Sequence, residues 1–372
     1  MSYAEGHDIH RRGLHVAPRS QSVTINDVAR EAGVSKSSAA RVLAGRGSSS
    51  PKTQKAVHEA AKRLGYRPNA LAKAMVSGSS KTIAAVLPDV ANPFFSAALR
   101  GLTDAARSAG FEVLVANTDN DPDVETRSIE LLTEKRVDGF VIAPVFQDEP
   151  DAISRLVNDE IPVVLLDRRM PTLADVPLVS LDHVGASELA TESLIELGHK
   201  RIAIVTEAVY DSQGVSGFPP GIDTGALRPS AQRLLGYRNA LGKHGLPLEH
   251  DLVVHAEYTW RSAQKAVRRL IESGQDFSAL FCTDAVLTAG AYKAIVEAGV
   301  PIPETFSFIG FDDQEWTTLV SPAISVLDQP RHALGATTAT RLLAQIRHIT
   351  ANQQDVRLPA NLIPRGTTAP PR

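Results

Sequence analysis

The chain has 372 residues, 43% of them hydrophobic and 22% charged, with a formal net charge of -3. That length exceeds one ordinary core and suits two or three domains, and the apolar fraction with so low a net charge excludes disorder as the main state. A single cysteine, Cys282, excludes an internal disulfide framework, and apolar runs such as Ile83 to Leu87 fall far short of the roughly 20 residues of a membrane span.

Residues 1–21 read as a tail, with His7, His10 and His15 spread among glycine and arginine and no apolar signal segment. The sequence therefore reads as that of a soluble cytosolic protein. Three short helices are expected next. Thr24 with Asp27 has the capping-box pattern, and Ile25, Val28, Ala29 and Ala32 form an apolar stripe ended by Gly33. Ser35 caps a second helix containing Ala39, Val42 and Leu43. The tight corner Ala32 to Ser35 makes the pair a helix-turn-helix. Ser50-Pro51 opens a third helix with Val57, Ala60, Ala61 and Leu64 on its apolar face, closed by Gly65. Asn69 can cap a short helix over Ala70–Val76, too short to hold alone in water. Gly78-Ser79-Ser80 reads as a linker.

From Thr82 the pattern alternates strand and helix. Strands are expected at Ile83–Leu87, Glu112–Asn117, Gly139–Ala143 and Val163–Asp167. A second batch follows at Arg201–Thr206, Leu252–His255, Ala279–Cys282 and Ser307–Gly310. Helices are expected at Pro93–Ala109, Val124–Lys135, Pro150–Asp159, His183–Leu197, Ser230–His244, Trp260–Ser273 and Ala285–Ala298. Buried parallel strands in two batches imply an α/β body of two lobes, with a cleft at the carboxyl ends of the strands. The glycine- and proline-rich stretch 214–225 reads as a long loop beside that cleft.

Charge is divided unevenly. Residues 1–76 hold 13 Lys+Arg against 5 Asp+Glu, a formal +8, which leaves the remainder a formal -11. A basic helical module on an acidic body points to nucleic acid or an anionic membrane. In a helix-turn-helix the start of the second helix reaches base edges, here Lys36, Ser37, Ala40 and Arg41. Thr24, Ser35, Ser50, Lys52 and Thr53 are candidates for phosphate contacts.

Thr24 to Ser35, Arg41-Val42-Leu43 and Leu64-Gly65-Tyr66-Arg67-Pro68-Asn69 resemble the lactose-repressor (LacI) family of bacterial transcription regulators. The resemblance resumes with Asn92-Pro93-Phe94-Phe95, Asp167-Arg168, Leu197-Gly198-His199, Gly310-Phe311-Asp312-Asp313 and Gln329-Pro330. It implies a homodimer on near-palindromic operator DNA. It also implies a body similar in layout to periplasmic sugar-binding proteins, and a small-molecule effector. On this pattern 22–68 is the DNA-binding domain and 69–81 the hinge helix and linker. Residues 82–183 with 329–346 form the first lobe, 184–328 with 347–367 the second, and 368–372 a tail. The resemblance places Met75 where an apolar wedge enters the minor groove, with Asn69 and Lys73 as further contacts. It also makes Asn92, Phe94, Phe95, Asp167, Arg168, Arg233, Asp284, Asp312 and Gln329 the effector contacts.

One departure stands out. The family's usual Asn-Asp pair appears as Asp284-Ala285. The added carboxylate favours a donor-rich or cationic ligand over an anionic one. A sugar, polyol or nucleoside acting as inducer is expected, with a purine corepressor as the alternative. Phosphate-loop, dinucleotide, zinc and nucleophile-elbow patterns are missing from the sequence, so neither catalysis nor a cofactor or metal is expected. A sugar-processing enzyme with a DNA-binding appendage and a plain solute-binding protein are the competing readings.

Overall fold

Local signals set the ends of the N-terminal helices: α1 (Ile25–Glu31), α2 (Lys36–Leu43) and α3 (Pro51–Arg63). The Asp27 carboxylate accepts from the Thr24 backbone N–H at 2.9 Å and from its hydroxyl at 2.7 Å, closing the start of α1. Ser35 Oγ accepts from the Ser38 N–H at 3.1 Å, and Ser50 Oγ from the Thr53 N–H at 3.2 Å. Such caps satisfy amide groups that a helix start leaves open. Gly33 turns the chain between α1 and α2 with φ +64°, a conformation that costs a residue with a Cβ. Val28, Ala39, Val42, Val57 and Ala60 close the small core between the three helices.

A computed structural model describes residues 23–43, 49–66, 79–145, 151–208, 228–349 and 354–372. The tail 1–21, the expected hinge helix Ala70–Val76 with Asn69, Lys73 and Met75, and the 214–225 loop lie outside the described residues. The chain divides into two units, Met1–Ser80 and Lys81–Arg372.

The second unit holds two six-stranded sheets. The first lobe builds β1 (Thr82–Leu87), α4 (Pro93–Ser108), β2 (Glu112–Asn117), α5 (Pro122–Glu134), β3 (Phe140–Ile142), α6 (Asp151–Asn158), β4 (Val163–Leu166) and β5 (Leu178–Leu181). The second builds α7 (His183–Glu196), β6 (Ile202–Thr206), α8 (Pro229–Lys243), β7 (Val253–His255), α9 (Trp260–Glu272), β8 (Ala279–Cys282), α10 (Ala285–Glu297), β9 (Ser307–Phe311), α11 (Glu315–Leu319) and β10 (Ser325–Asp328). The chain then returns through α12 (Arg331–Ile346), β11 (Val356–Leu358) and β12 (Asn361–Ile363). Sheet orders are β11-β5-β4-β3-β1-β2 and β12-β10-β9-β8-β6-β7, one arrangement used twice. Every pairing is parallel except β10 with β12.

Each sheet is covered on both faces, as parallel sheets require. Ile83, Ala85 and Leu87 face α4 and α12, while Ala84 and Val86 face α5 and α6. In the second lobe Ala203 and Val205 pack toward α9 and α10, and Ile202 and Ile204 toward α7 and α8. Helices α4 and α12 touch backbone to backbone: a Cβ at Gly335 would overlap the Ala98 carbonyl, and one at Gly101 the His332 carbonyl.

Two corrections follow. Residues 347–367 were expected in the second lobe, yet Val356–Leu358 pairs with β5 in the first sheet. Buried Arg169 fixes this return. Its guanidinium donates to the Leu173 and Ala174 carbonyls at 2.8 and 2.7 Å and pairs with Asp355, just before β11. In addition, β5, β10, β11, β12, α11 and α12 were not among the elements expected from pattern.

Gly335→Ala should lower the thermal midpoint by several degrees, since the helices must separate to admit the methyl group. Gly242→Ala, on α8 with open space at its Cβ, should leave the midpoint level or raise it. Thermal unfolding of both variants checks this, and equal effects would refute the close helix contact.

Candidate functional site

On α2, Lys36, Ser37 and Arg41 are exposed and Ala40 is half-buried, opposite the buried Ala39 and Val42. At about 100° per residue these four share one face. The Arg41 Nε donates to the Ser37 carbonyl at 3.4 Å, lying along the helix. Ser35, Ser50 and Thr53 serve the helix starts, with Ser50 and Thr53 hydroxyls 2.9 Å apart, and Lys52 is exposed on α3. Thr24 is tied to Asp27.

The lobes enclose a cavity of ≈ 360 Å³ lined by Asn92, Phe94, Phe95, Asp167, Arg168, Arg233, Asp284 and Gln329. Eight of the nine expected effector residues thus meet at one place. Asp312 does not line it: 2% exposed, it accepts from Gln329 Nε2 at 2.8 Å and sits behind that amide. Asp89, Asn120, Glu207, Arg228 and Tyr258 also line the cavity and were not among the expected contacts.

Asn92 caps α4, its Oδ1 accepting from the Phe94 N–H at 2.8 Å. Its Nδ2 crosses to the other lobe and donates to Tyr258 Oη at 2.7 Å. Tyr258 Oη in turn faces Asp284 Oδ2 at 3.4 Å. Burial and the nearby Asp284 charge raise the phenol well above its usual range, so it stays a donor. Phe94 and Phe95 are buried in the first-lobe core, edge to face at 4.9 Å. The Arg168 guanidinium stands 5.7 Å over the Phe95 ring and donates to Asn120 Oδ1 at 2.9 Å. The faces of the two phenyls are thus largely covered by protein.

Arg233 is nearly buried. It donates to the Thr283 carbonyl at 2.6 Å and to His183 Nδ1 at 3.3 Å, stands 4.2 Å over the Phe311 ring, and lies 3.9 Å from Asp284 Oδ2. Because Nδ1 accepts, the neutral His183 ring carries its proton on Nε2, which faces Asp167 Oδ1 at 3.3 Å. Burial lowers the His183 pKa, and the Arg233 charge lowers it further against the pull of Asp167. Burial opposes ionisation of Asp167, but the His183 contact and the arginine charges of Arg168 and Arg233 outweigh it and hold its carboxyl below the usual range. Asp284 is different. Burial pushes its carboxyl up to about 7; Arg233 opposes the shift while Asp312 and Glu207 add to it.

His183 and Glu207 sit directly beyond β5 and β6, so the strand-end rule that found Asp167 could have found them. Tyr258 precedes a helix cap in a short loop, and no pattern marks it. Three other groups prove structural. Asp313 is held by Arg365 at 2.8 Å through both oxygens. His199 meets Ser278, Ser307 and the Ala369 carbonyl at 2.9, 3.0 and 2.9 Å, pinning the C-terminal segment. Cys282 is fully buried, and burial raises its thiol pKa. Among the described residues no metal-binding cluster forms and no helix is long and apolar enough to cross a membrane.

A family profile described as "Periplasmic binding proteins and sugar binding domain of LacI family" matches residues 80–365. The chain belongs to the LacI family. A second profile, "Bacterial regulatory proteins, lacI family", matches residues 24–69. Catabolite control protein A of Priestia megaterium is 30% identical over 93% of this chain and 99% of its own. The ribose operon repressor of Halalkalibacterium halodurans is 31% identical over 93% of this chain and 97% of its own. The structure of a transcriptional regulator CelR–cellobiose complex matches at TM-score 0.66 and 27% identity, covering 93% of this chain and 100% of that one. A lac repressor dimer on operator shares the fold, with TM-score 0.78 at 23% identity over 94% and 100% of the two chains. As a LacI-family member the protein is a DNA-binding transcriptional regulator, and its relatives are regulators rather than enzymes.

The raised Asp284 carboxyl has a stability consequence. Its folded pKa near 7 lies above the unfolded value of about 3.9. The protonated acid therefore contributes stability that is full below about pH 4 and lost as pH rises to 7. Asp284→Asn keeps the helix cap and removes the charge. In the ligand-free protein it should raise the thermal midpoint at pH 8, by at most about 4 kcal/mol of stability, and change it little at pH 4. A pH-independent difference would show that charge is not the cause.

Proposed function

We propose that the protein is a homodimeric repressor of near-palindromic operator DNA, released by a small polyhydroxylated ligand held between its lobes. The observation that carries this reading is the cavity of ≈ 360 Å³ walled by both lobes and lined with carboxylates, amides and arginines at strand and helix ends. That size and polarity suit a sugar, polyol or nucleoside. Relatives described with cellobiose and with ribose bound support a saccharide. Asn92, Asp167, Arg168, Arg233, Asp284 and Gln329 are the assigned ligand contacts, over a floor of Phe94 and Phe95. Asp312 acts by holding Gln329.

On the DNA side Lys36, Ser37, Ala40 and Arg41 are assigned to base edges, with Thr24, Ser35, Ser50, Lys52 and Thr53 along the phosphates. Asn69, Lys73 and Met75 are assigned to the minor groove on the family resemblance. A repressor acts where the chromosome is, which places it in the cytoplasm. The edge strand β2 exposes the apolar side chains of Leu114 and Val115 at 39% and 46%, an edge suited to a second copy. A two-fold dimer matches a palindromic site.

Fluorescence anisotropy on a selected palindromic DNA pool, with sugars, polyols, nucleosides and purines added in turn, tests the reading. A saccharide should weaken operator binding. Tighter binding with any compound would make the protein a corepressor-dependent regulator, and loss of sequence selectivity altogether would reopen the enzyme reading. Arg41→Ala should cost about tenfold or more on operator DNA and much less on random DNA. Equal losses would reduce Arg41 to a phosphate contact. Asp312→Asn should weaken ligand binding and spare ligand-free operator binding, and unchanged ligand affinity would confine Asp312 to the fold.

A further inference from the structure

The second lobe turns two carboxylates toward the cavity, Asp284 and Glu207, beside the guanidinium groups of Arg228 and Arg233. Asp284 Oδ1 is satisfied by the Val286 N–H at 2.7 Å, but Oδ2 has only the Tyr258 hydroxyl at 3.4 Å and Arg233 Nη1 at 3.9 Å. Arg233 is already committed to the Thr283 carbonyl and to His183. Half-buried Glu207 lines the same cavity, and among the described residues its carboxylate has no ion pair or hydrogen bond.

An independent observation comes from the other side. Gln329 lines the cavity at 3% exposure, and its Nε2 is used by Asp312. Among the described residues its Oε1 is buried without a hydrogen-bond partner, a cost that a ligand donor removes. Arg168, the cation of the first lobe, faces Asp167 at 4.0 Å and binds Asn120. Asp284 Oδ2, Glu207 and Gln329 Oε1 are thus acceptors facing the cavity, two of them on carboxyl groups.

We propose that the cavity selects an amine-bearing polyol, an amino sugar or iminosugar, whose ammonium sits between Asp284 and Glu207 while a hydroxyl donates to Gln329 Oε1. This rests on the ligand-controlled reading and narrows its ligand class. A primary ammonium brings several N–H donors and a full charge, so both carboxylates gain charge-assisted hydrogen bonds. A hydroxyl brings one neutral donor to the same place. The raised Asp284 carboxyl agrees, since a bound cation relieves the repulsion from Glu207 and Asp312. A phosphate or carboxylate ligand would add to it.

Calorimetric titration of the full chain at neutral pH tests the assignment. The probes are glucosamine, galactosamine, mannosamine and deoxynojirimycin, each beside its neutral hydroxyl counterpart, and the titrations are repeated on Glu207→Gln. One amine should bind about tenfold or more tighter than its counterpart, and that ratio should fall toward one in the variant. The thermal midpoint confirms that the variant is folded. A neutral sugar binding as tightly as every amine would overturn the cation seat and leave the sugar reading standing. A preference that persists in Glu207→Gln would overturn the placement at Glu207. Failure of every saccharide to bind would overturn both this assignment and the sugar reading.

Discussion

The Arg233 guanidinium is the contact on which the cleft is organised. A buried cation is costly unless its charge and its N–H groups are answered. Here the answers come from Thr283 beyond β8, from His183 at the start of α7, from the Phe311 ring on β9, and from Asp284. Three parts of the chain, the β8–α10 junction, the start of α7 and the end of β9, are thus fixed by one side chain. Arg233 also reaches the first lobe through His183, whose Nε2 faces Asp167. A change in what Arg233 meets in the cavity is therefore felt at the place where the chain passes between lobes.

The cleft follows from one topology used twice. The chain leaves the first sheet after β5, returns after β10 and crosses again between β11 and β12. Three short crossings hold the carboxyl ends of both sheets toward one another. Asp167 and Asp312 show how far the repetition goes. Each follows the fourth strand of its lobe in chain order, each has positive φ, +67° and +65°, and each backbone N–H donates across to the next strand, to Val179 and Leu327. The two carboxyls nevertheless differ. Asp167 has cations and His183 around it and is held low, whereas Asp312 is raised by its burial against the weaker pull of Arg331 and Gln329. Equivalent backbone positions have been given unequal chemistry, which is what an asymmetric ligand requires.

The long, strongly patterned elements were legible in the sequence because burial writes itself into periodicity. Strands β2 and β8 fall at the residues expected, and α4 and α10 differ by one residue at the end. The strands that escaped have four residues (β5 and β10) or three (β11 and β12), too few for a clear period, and β11 and β12 take their identity from pairing partners far away in the chain. The charge division and the capped helices of the first unit were legible for the same local reasons. In the cavity, residues anchored to strand ends or helix caps were readable. Tyr258 was not, because its role arises from a contact with Asn92 across 166 positions of sequence. Glu207 is marked by its place after β6, but its lack of a partner among the described residues is defined only by the folded surroundings.

A ligand alters a two-state protein only through contacts that differ between the states. A molecule held by one lobe alone would bind without consequence for their closure. In this cleft the open acceptors are divided. Asp284 and Glu207 belong to the second lobe, while Gln329 sits on the crossing that leads into α12 of the first. The Asn92–Tyr258 hydrogen bond spans the gap at 2.7 Å. A ligand touching both sides replaces or reinforces that bond and makes the rest of its contacts only when the lobes are together. Its differential affinity is then set by the cross-lobe groups rather than by the floor of buried phenyls. Specificity and control thus reside in the same few polar atoms.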